Sequence, residues 1–311
     1  MKYAHLLHAF YAEPWHLRPD YWRNFDLVLQ RAMSGQEVSP VLPRAQLELR
    51  TAVHNSSGVS DRPIVGPINP ESGEPIVPQM IVAGPVAIIP VHGALGKNLC
   101  LLDLWCGACD YSHVEQFAEM ARGDAEIQVV IFWFRSPGGR SAGCEECGAA
   151  IAELQQMKPT IAFSDTVCCS AAYWLASQCG EVWSAPTAQI GNVGTIMAGE
   201  DTSGQWAQEG RKLELFTSSP LKATGADGKP WTEADRAYMT ERMLQCDARI
   251  KNAVLAGRPA IDPAALDGRY FFGDKAANAP GQSALDVGMV DFIAGDLDEV
   301  MAVLWAARSG Q

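Results

Sequence analysis

From about residue 85 the chain alternates short apolar runs with segments of helical period. Val86–Val91 (VAIIPV) is a continuous apolar run of strand length, which predicts a strand buried on both faces, and His92-Gly93 closes it. Residues 113–122 carry helical spacing. Residues 128–134 (QVVIFWF) are rich in β-branched and aromatic side chains and predict a second buried strand. Ser136-Pro137-Gly138-Gly139 breaks it sharply, and a helix is expected over 142–157. Pro159 ends that helix, and residues 160–163 (TIAF) predict a third strand. A helix follows over 171–178, with Ser170 at its start and Gly180 just beyond its end. Residues 181–183 and 188–190 predict two short strands. Thr232 with Asp235 forms a helix start of capping-box type. Met239, Met243, Cys246, Ile250 and Val254 then lie on one helical face that Gly257 closes. Strands that alternate with helices imply stacked βα units with mostly parallel pairing, an α/β fold.

Residues 1–75 read differently. Residues 17–33 (LRPDYWRNFDLVLQRAM) predict one amphipathic helix, and the Pro-, Gly- and Ser-rich stretch that follows has linker composition. The expected organisation is therefore an N-terminal arm and linker over 1–75 and a folded α/β domain over 76–311.

Composition narrows the function. With 48% hydrophobic and 19% charged residues the chain is globular. Its formal net charge of −12 opposes binding to nucleic acid or anionic lipid. No apolar run approaches the roughly 18 residues of a membrane span, and the first residues lack a secretory signal. The expectation is a cytoplasmic protein with no membrane anchor. Nine cysteines fit reduced, buried thiols. Cys106-x-x-Cys109 and Cys144-x-x-Cys147 have zinc-ligand spacing, but 34 residues separate the pairs and the second falls on a helix. No metal or cofactor is expected.

Histidines occur at 5, 8, 16, 54, 92 and 113 and nowhere later. Within the core only His92 and His113 are candidates for a histidine base, and a lone histidine beside a glycine at a strand end reads as structural. Ser170, at the first turn of an Ala-rich helix, is either an N-cap or a nucleophile next to unpaired N–H groups. The glycine pair Gly138-Gly139 is either a tight turn or a backbone that approaches a ligand. Lys222, among small and apolar neighbours, is either a solvated loop lysine or a general base, which requires desolvation.

Order and spacing add weight. SPGG, a serine 31 residues later and a lysine 52 residues beyond it resemble the signal peptide peptidase A (SppA) family, in particular its phage branch of head-maturation or capsid-assembly peptidases. The segments VAIIPVHGAL, SAAYWLAS, PTAQIGNVGTI, LKATGADGKPWTEADR, GRYFFGDKA and ALDVGMVDFI carry the resemblance over roughly 80–295, and the opening MKYAHLLHAFYAEPW is similar to the arm of the phage-type members. The resemblance implies a Clp protease/crotonase-like fold of stacked ββα units. It implies a serine endopeptidase with Ser170 as nucleophile, Lys222 as base, and the N–H groups of Gly139 and Ala171 as oxyanion hole. Family members carry a small hydroxyl residue in a GS-[IV]-G turn that orients the lysine. This chain has Gly191-Asn192-Val193-Gly194, which gives that role to the Asn192 carbonyl. The expected partners are a protein or peptide substrate, such as a capsid scaffold or assembly protein, and further copies of the chain in a ring, with the lysine supplied within or between subunits. The setting is host cytoplasm or procapsid. Two alternatives remain at this point: a crotonase-like acyl-CoA enzyme, and a catalytically silent assembly protein that retains the fold.

Overall fold

The structure, a computed structural model, describes residues 15–17, 63–70, 72–276 and 281–309. Its strands are β1 (Trp15–Leu17), β2 (Ile81–Ala83), β3 (Val86–His92), β4 (Leu95–Gly96), β5 (Cys109–Asp110), β6 (Val129–Ser136), β7 (Gly138–Arg140), β8 (Thr160–Cys169), β9 (Glu181–Ser184), β10 (Gln189–Gly191), β11 (Tyr270–Phe272) and β12 (Phe292–Ile293). Its helices are α1 (Leu101–Trp105), α2 (Tyr111–Gly123), α3 (Cys144–Met157), α4 (Ala171–Ala176), α5 (Ser203–Gln208), α6 (Glu233–Gly257) and α7 (Leu297–Ser309), with 3-10 turns at Pro220–Ala223 and Pro263–Ala265.

Two ββα units stack side by side. In each, a long strand runs through a large sheet, a sharp turn sends the chain into a short strand of a second sheet, and a helix returns. These are β3–β4 leading to α2, and β6–β7 leading to α3. The large sheet has the order β11-β10-β8-β6-β3-β2; the small sheet has the order β1-β7-β4-β5. In the large sheet β3, β6, β8 and β10 pair in parallel, with antiparallel β2 and β11 at its edges. The mixed α/β class with a parallel-dominated sheet is thus the observed one.

A parallel sheet covered on both faces needs strands that are apolar throughout, and every residue of β3 is buried. One face packs against α2, α3 and α4 through residues such as Phe117, Ile151 and Leu175. On the other, Val300, Leu297 and Met301 of α7 cover Ile88, Ile131, Trp133 and Phe163.

Two expected elements differ. The strand expected over 160–163 continues to Cys169. Its polar interruption at Ser164-Asp165-Thr166 is held by Arg135, whose Nε donates to the Asp165 carboxylate at 2.8 Å. Across this stretch β8 changes partners: Ile161–Ser164 pair with β9 and Val167–Cys169 with β10. The second difference is in α6. Ile250 and Val254 are buried, but Met239, Met243 and Cys246 are only half-buried, so the first part of the helix stands off the core. The helix expected over 17–33 lies outside the described residues except for Leu17, which belongs to β1. Within the expected arm, Val65 packs in the core, its backbone clamped at both polar atoms by the Gln79 side-chain amide.

Candidate active site

β8 delivers the chain directly to Ser170, and α4 begins at the next residue. An N-cap serine has extended backbone angles, and its oxygen accepts from an N–H of the first turn. Ser170 does neither. Its φ is 57° and ψ −118°, no side-chain cap forms, and its hydroxyl donates to the Gly194 carbonyl at 3.3 Å. A non-glycine residue in this region costs of order 1–3 kcal/mol and persists only where its surroundings impose it. Here they do: the Ser170 N–H donates to Gly191 O at 2.7 Å, all of α4 is buried, and the Tyr173 hydroxyl ties it to Met289 O at 2.8 Å. A strained strand-to-helix turn that presents a serine hydroxyl has the form of a nucleophile elbow.

The SPGG segment holds the sharp turn between β6 and β7 and continues past it as strand. Gly138 and Gly139 open β7, which pairs with β4 on one side and β1 on the other. Neither glycine has room for a side chain. A Cβ on Gly138, whose φ is 108°, would meet His16 O at 2.0 Å and Ser170 Cβ at 2.9 Å. A Cβ on Gly139 would meet Leu95 O at 2.1 Å. Gly138 therefore brings bare backbone against the serine, and Gly139 brings it against Leu95 of β4. Ala171, the first residue of α4, has an N–H with no intrahelical acceptor.

Lys222 lies exposed in the 3-10 turn Pro220–Ala223, whereas Ser170 is buried. Among the described residues the two are not joined by a hydrogen bond. The turn is anchored by Asp235, the N3 residue of the α6 capping box. Its carboxylate accepts from the Thr224 and Thr232 hydroxyls, each at 2.6 Å, and pairs with the Lys229 ammonium. That ammonium first, and then the hydroxyls, hold the carboxyl well below the usual range. Asn192 follows Gly191 with φ 49°, and its side-chain amide donates to Gly268 O. That contact uses the amide nitrogen and not the side-chain oxygen.

His92 is buried edge-on against Trp133 with a ring separation of 4.9 Å, and neither ring nitrogen has a partner among the described residues. His113 is half-buried beside Gly66. The histidine at the serine is His16, which sequence reasoning did not single out. β1 lays it opposite Gly139, and its Nδ1 sits 3.1 Å from Gly194 O and 3.1 Å from the Thr195 hydroxyl. A carbonyl can only accept, so the Gly194 contact places the ring proton on Nδ1. A three-residue strand has no periodicity, and nothing local distinguishes this histidine.

The cysteines are free thiols. Burial pushes the Cys109 thiol up to about 12, and those of Cys144 and Cys147 up as well. No group of three or more potential ligands among the described residues could hold a metal ion.

The sequence profile of peptidase family S49 matches residues 152–308, a stretch that holds Ser170, Asn192 and Lys222. The chain belongs to peptidase family S49. The chain is 27% identical over 306 residues to the head-tail preconnector protein GP5 of Enterobacteria phage P21, covering 98% of this chain and 58% of that protein. It is 25% identical over 301 residues to the capsid assembly protease C of Escherichia phage lambda, covering 95% of this chain and 64% of that one. The chain thus spans about three-fifths of the length of these relatives. The phage-type resemblance read from the motifs agrees with these matches. Similar solved structures include a membrane-bound stomatin-specific protease, 1510-N (17% identity, 69% of this chain and 78% of that one, TM-score 0.40). A putative enoyl-CoA hydratase/isomerase family protein from Hyphomonas neptunium (15%, 75% and 75%, 0.39) and ClpP1 from Listeria monocytogenes (12%, 68% and 94%, 0.38) are others. No helix among the described residues is long and apolar enough to cross a membrane.

Proposed function

We propose that this protein is a serine endopeptidase with a Ser170–Lys222 dyad, and that it acts on a scaffold or assembly protein of a phage or prophage capsid. The observation that carries the reading is the backbone of Ser170: a strained serine, uncapped, held between a parallel sheet and a buried helix, with the bare glycine backbone of β7 against it.

In the proposed reaction Lys222 Nζ takes the hydroxyl proton as Ser170 Oγ attacks the peptide carbonyl carbon. The oxyanion accepts from the N–H groups of Gly139 and Ala171. Lys222 then passes its proton to the leaving amine, and a water molecule, deprotonated by the same lysine, releases the acyl group. Lys222 must be desolvated to serve as the base. On its own chain it is exposed, which favours a dyad completed between subunits of a ring, with Asn192 as acceptor for the lysine. The capsid setting rests on the names of the two phage relatives. A procapsid or host-cytoplasm location, and an arm over 1–75 before a peptidase domain over 76–311, belong to the same proposal. Membership of a peptidase family favours this reading over an acyl-CoA enzyme.

The test is labelling of the full chain by a fluorophosphonate probe. Wild type should label, and Ser170→Ala and Lys222→Ala should not. A mixture of the two inactive variants should label again if the dyad forms between subunits. The exposed position of Lys222 also suits a catalytically silent assembly protein; failure of wild type to label at every protein concentration would establish that alternative.

A further inference from the structure

β7 has two neighbours. On one side is β4, part of the same ββα stack; on the other is β1, a strand of three residues that begins at Trp15. β1 runs antiparallel to β7, with Trp15, His16 and Leu17 opposite Arg140, Gly139 and Gly138. An extended peptide that adds a strand to a sheet edge gains affinity from its main chain and specificity from pockets for alternate side chains. β1 has both features. His16 O and Ser170 Cβ crowd the same point, the position of a Gly138 Cβ, and so lie within about 5 Å of each other. The His16 side chain is 1% exposed. It fills a pocket in which Gly194 O and the Thr195 hydroxyl meet Nδ1, and its ring stands 5.9 Å from that of Trp174, edge-on. Its Nε2 is buried with no partner among the described residues. Gly194 O, 178 residues away in sequence, is also the acceptor for the Ser170 hydroxyl.

We infer that residues Trp15–Leu17 occupy the chain's own peptide cleft as a bound substrate strand would, with His16 in the side-chain pocket next to Ser170, so that the protein is closed to incoming peptides until this segment leaves. The inference rests on Ser170 as the nucleophile and on the β7 edge as the place where peptides bind. A segment tethered to the same chain competes at an effective concentration in the millimolar range, so a free peptide of ordinary affinity does not displace it. Access then depends on an event that withdraws the segment.

The experiment compares wild type with His16→Pro, which removes the strand N–H and the imidazole together. Two measurements are made on the full chain: the rate at which a fluorophosphonate labels Ser170, and amide hydrogen exchange at Gly139, which faces His16 across the strand pair. With the segment docked most of the time, its loss should raise the labelling rate about tenfold or more and speed exchange at the Gly139 amide. A synthetic peptide of residues 11–22 should return both to wild-type values, and the same peptide with His16→Asp should not. Unchanged labelling and exchange in a folded His16→Pro would overturn the inference. If that variant does not fold, His16→Ala serves, with a smaller acceleration supporting the inference and none overturning it. Exchange that changes while neither protein labels would instead refute Ser170 as the nucleophile and leave the docked segment standing.

Discussion

The Ser170 hydroxyl and the His16 Nδ1 meet on one carbonyl oxygen, that of Gly194, at 3.3 and 3.1 Å. Side chains 154 positions apart in the sequence thus share one acceptor. The imidazole is held neutral chiefly by burial, which brings its pKa down to about 4 from the usual 6.5; the Gly194 hydrogen bond and Asp247 of α6 act the other way. Asp247 is itself paired with Lys251 at 2.7 Å. A histidine whose pKa is lowered in the docked state favours docking fully above pH 6.5 and loses that contribution as pH falls towards 4. The protection factor of Gly139 should therefore fall between pH 7.5 and pH 5. His16→Gln, which keeps an N–H donor and cannot titrate, should abolish the change.

The backbone of Ser170 supplies a stability prediction. Glycine adopts φ 57°, ψ −118° without the Cβ penalty. Relief of about 1–3 kcal/mol of strain, less up to about 1 kcal/mol for the greater freedom of unfolded glycine, should make Ser170→Gly more stable than Ser170→Ala. Both should be inactive. Thermal melts of the two variants side by side test this, and a lower melting temperature for the glycine variant would contradict the strain.

At Gly138 the expected outcome is reversed. An alanine there places its methyl within 3 Å of His16 O and Ser170 Cβ at a positive φ. Gly138→Ala should abolish labelling of Ser170. It should cost about 1–3 kcal/mol as off-minimum packing, and more at this φ, seen as an earlier midpoint in urea unfolding.

Asp235→Asn keeps the shape of the side chain and removes the charge that Lys229 faces. It should loosen the turn that carries Lys222 and lower peptidase activity while leaving the Ser170 strand-to-helix turn in place. Because the Asp235 carboxyl is depressed, its contribution is present above the usual carboxylate range and fades as pH falls through and below it. Wild type and Asp235→Asn should therefore converge in melting temperature as acid is added, and parallel curves would show that the charge does not matter.

Much of the fold was legible in the sequence, because parallel strands covered on both faces must be apolar throughout: VAIIPV and QVVIFWF need no tertiary information to be read as β3 and β6. The end of β8 was not, because Asp165 and Thr166 look like a loop until Arg135 on β6 satisfies the carboxylate. The half-exposure of Met239 and Met243 was also hidden, since helical spacing reports a face and not whether anything covers it. At the site, Ser170 was found by its place in a series of motifs; the backbone angles that separate it from a cap are a property of the fold. His16 was invisible, because its partners on Gly194 and Thr195 come from a loop far along the chain.

The junction of β6 and β8 carries a last consequence. Phe134 faces Ser164 and Ser136 faces Cys168, so β8 spends four residues where β6 spends two. The surplus is even. Side chains along a strand alternate with a period of two, so an even surplus preserves the phase of β8 on either side of the bend. Loss of one residue between Asp165 and Val167 would shift that phase by half a period, and Cys168 and Cys169 would exchange inward and outward facing. The direction in which the chain enters Ser170 is thus set by a parity, fixed four residues upstream in a bend that the Arg135–Asp165 pair holds.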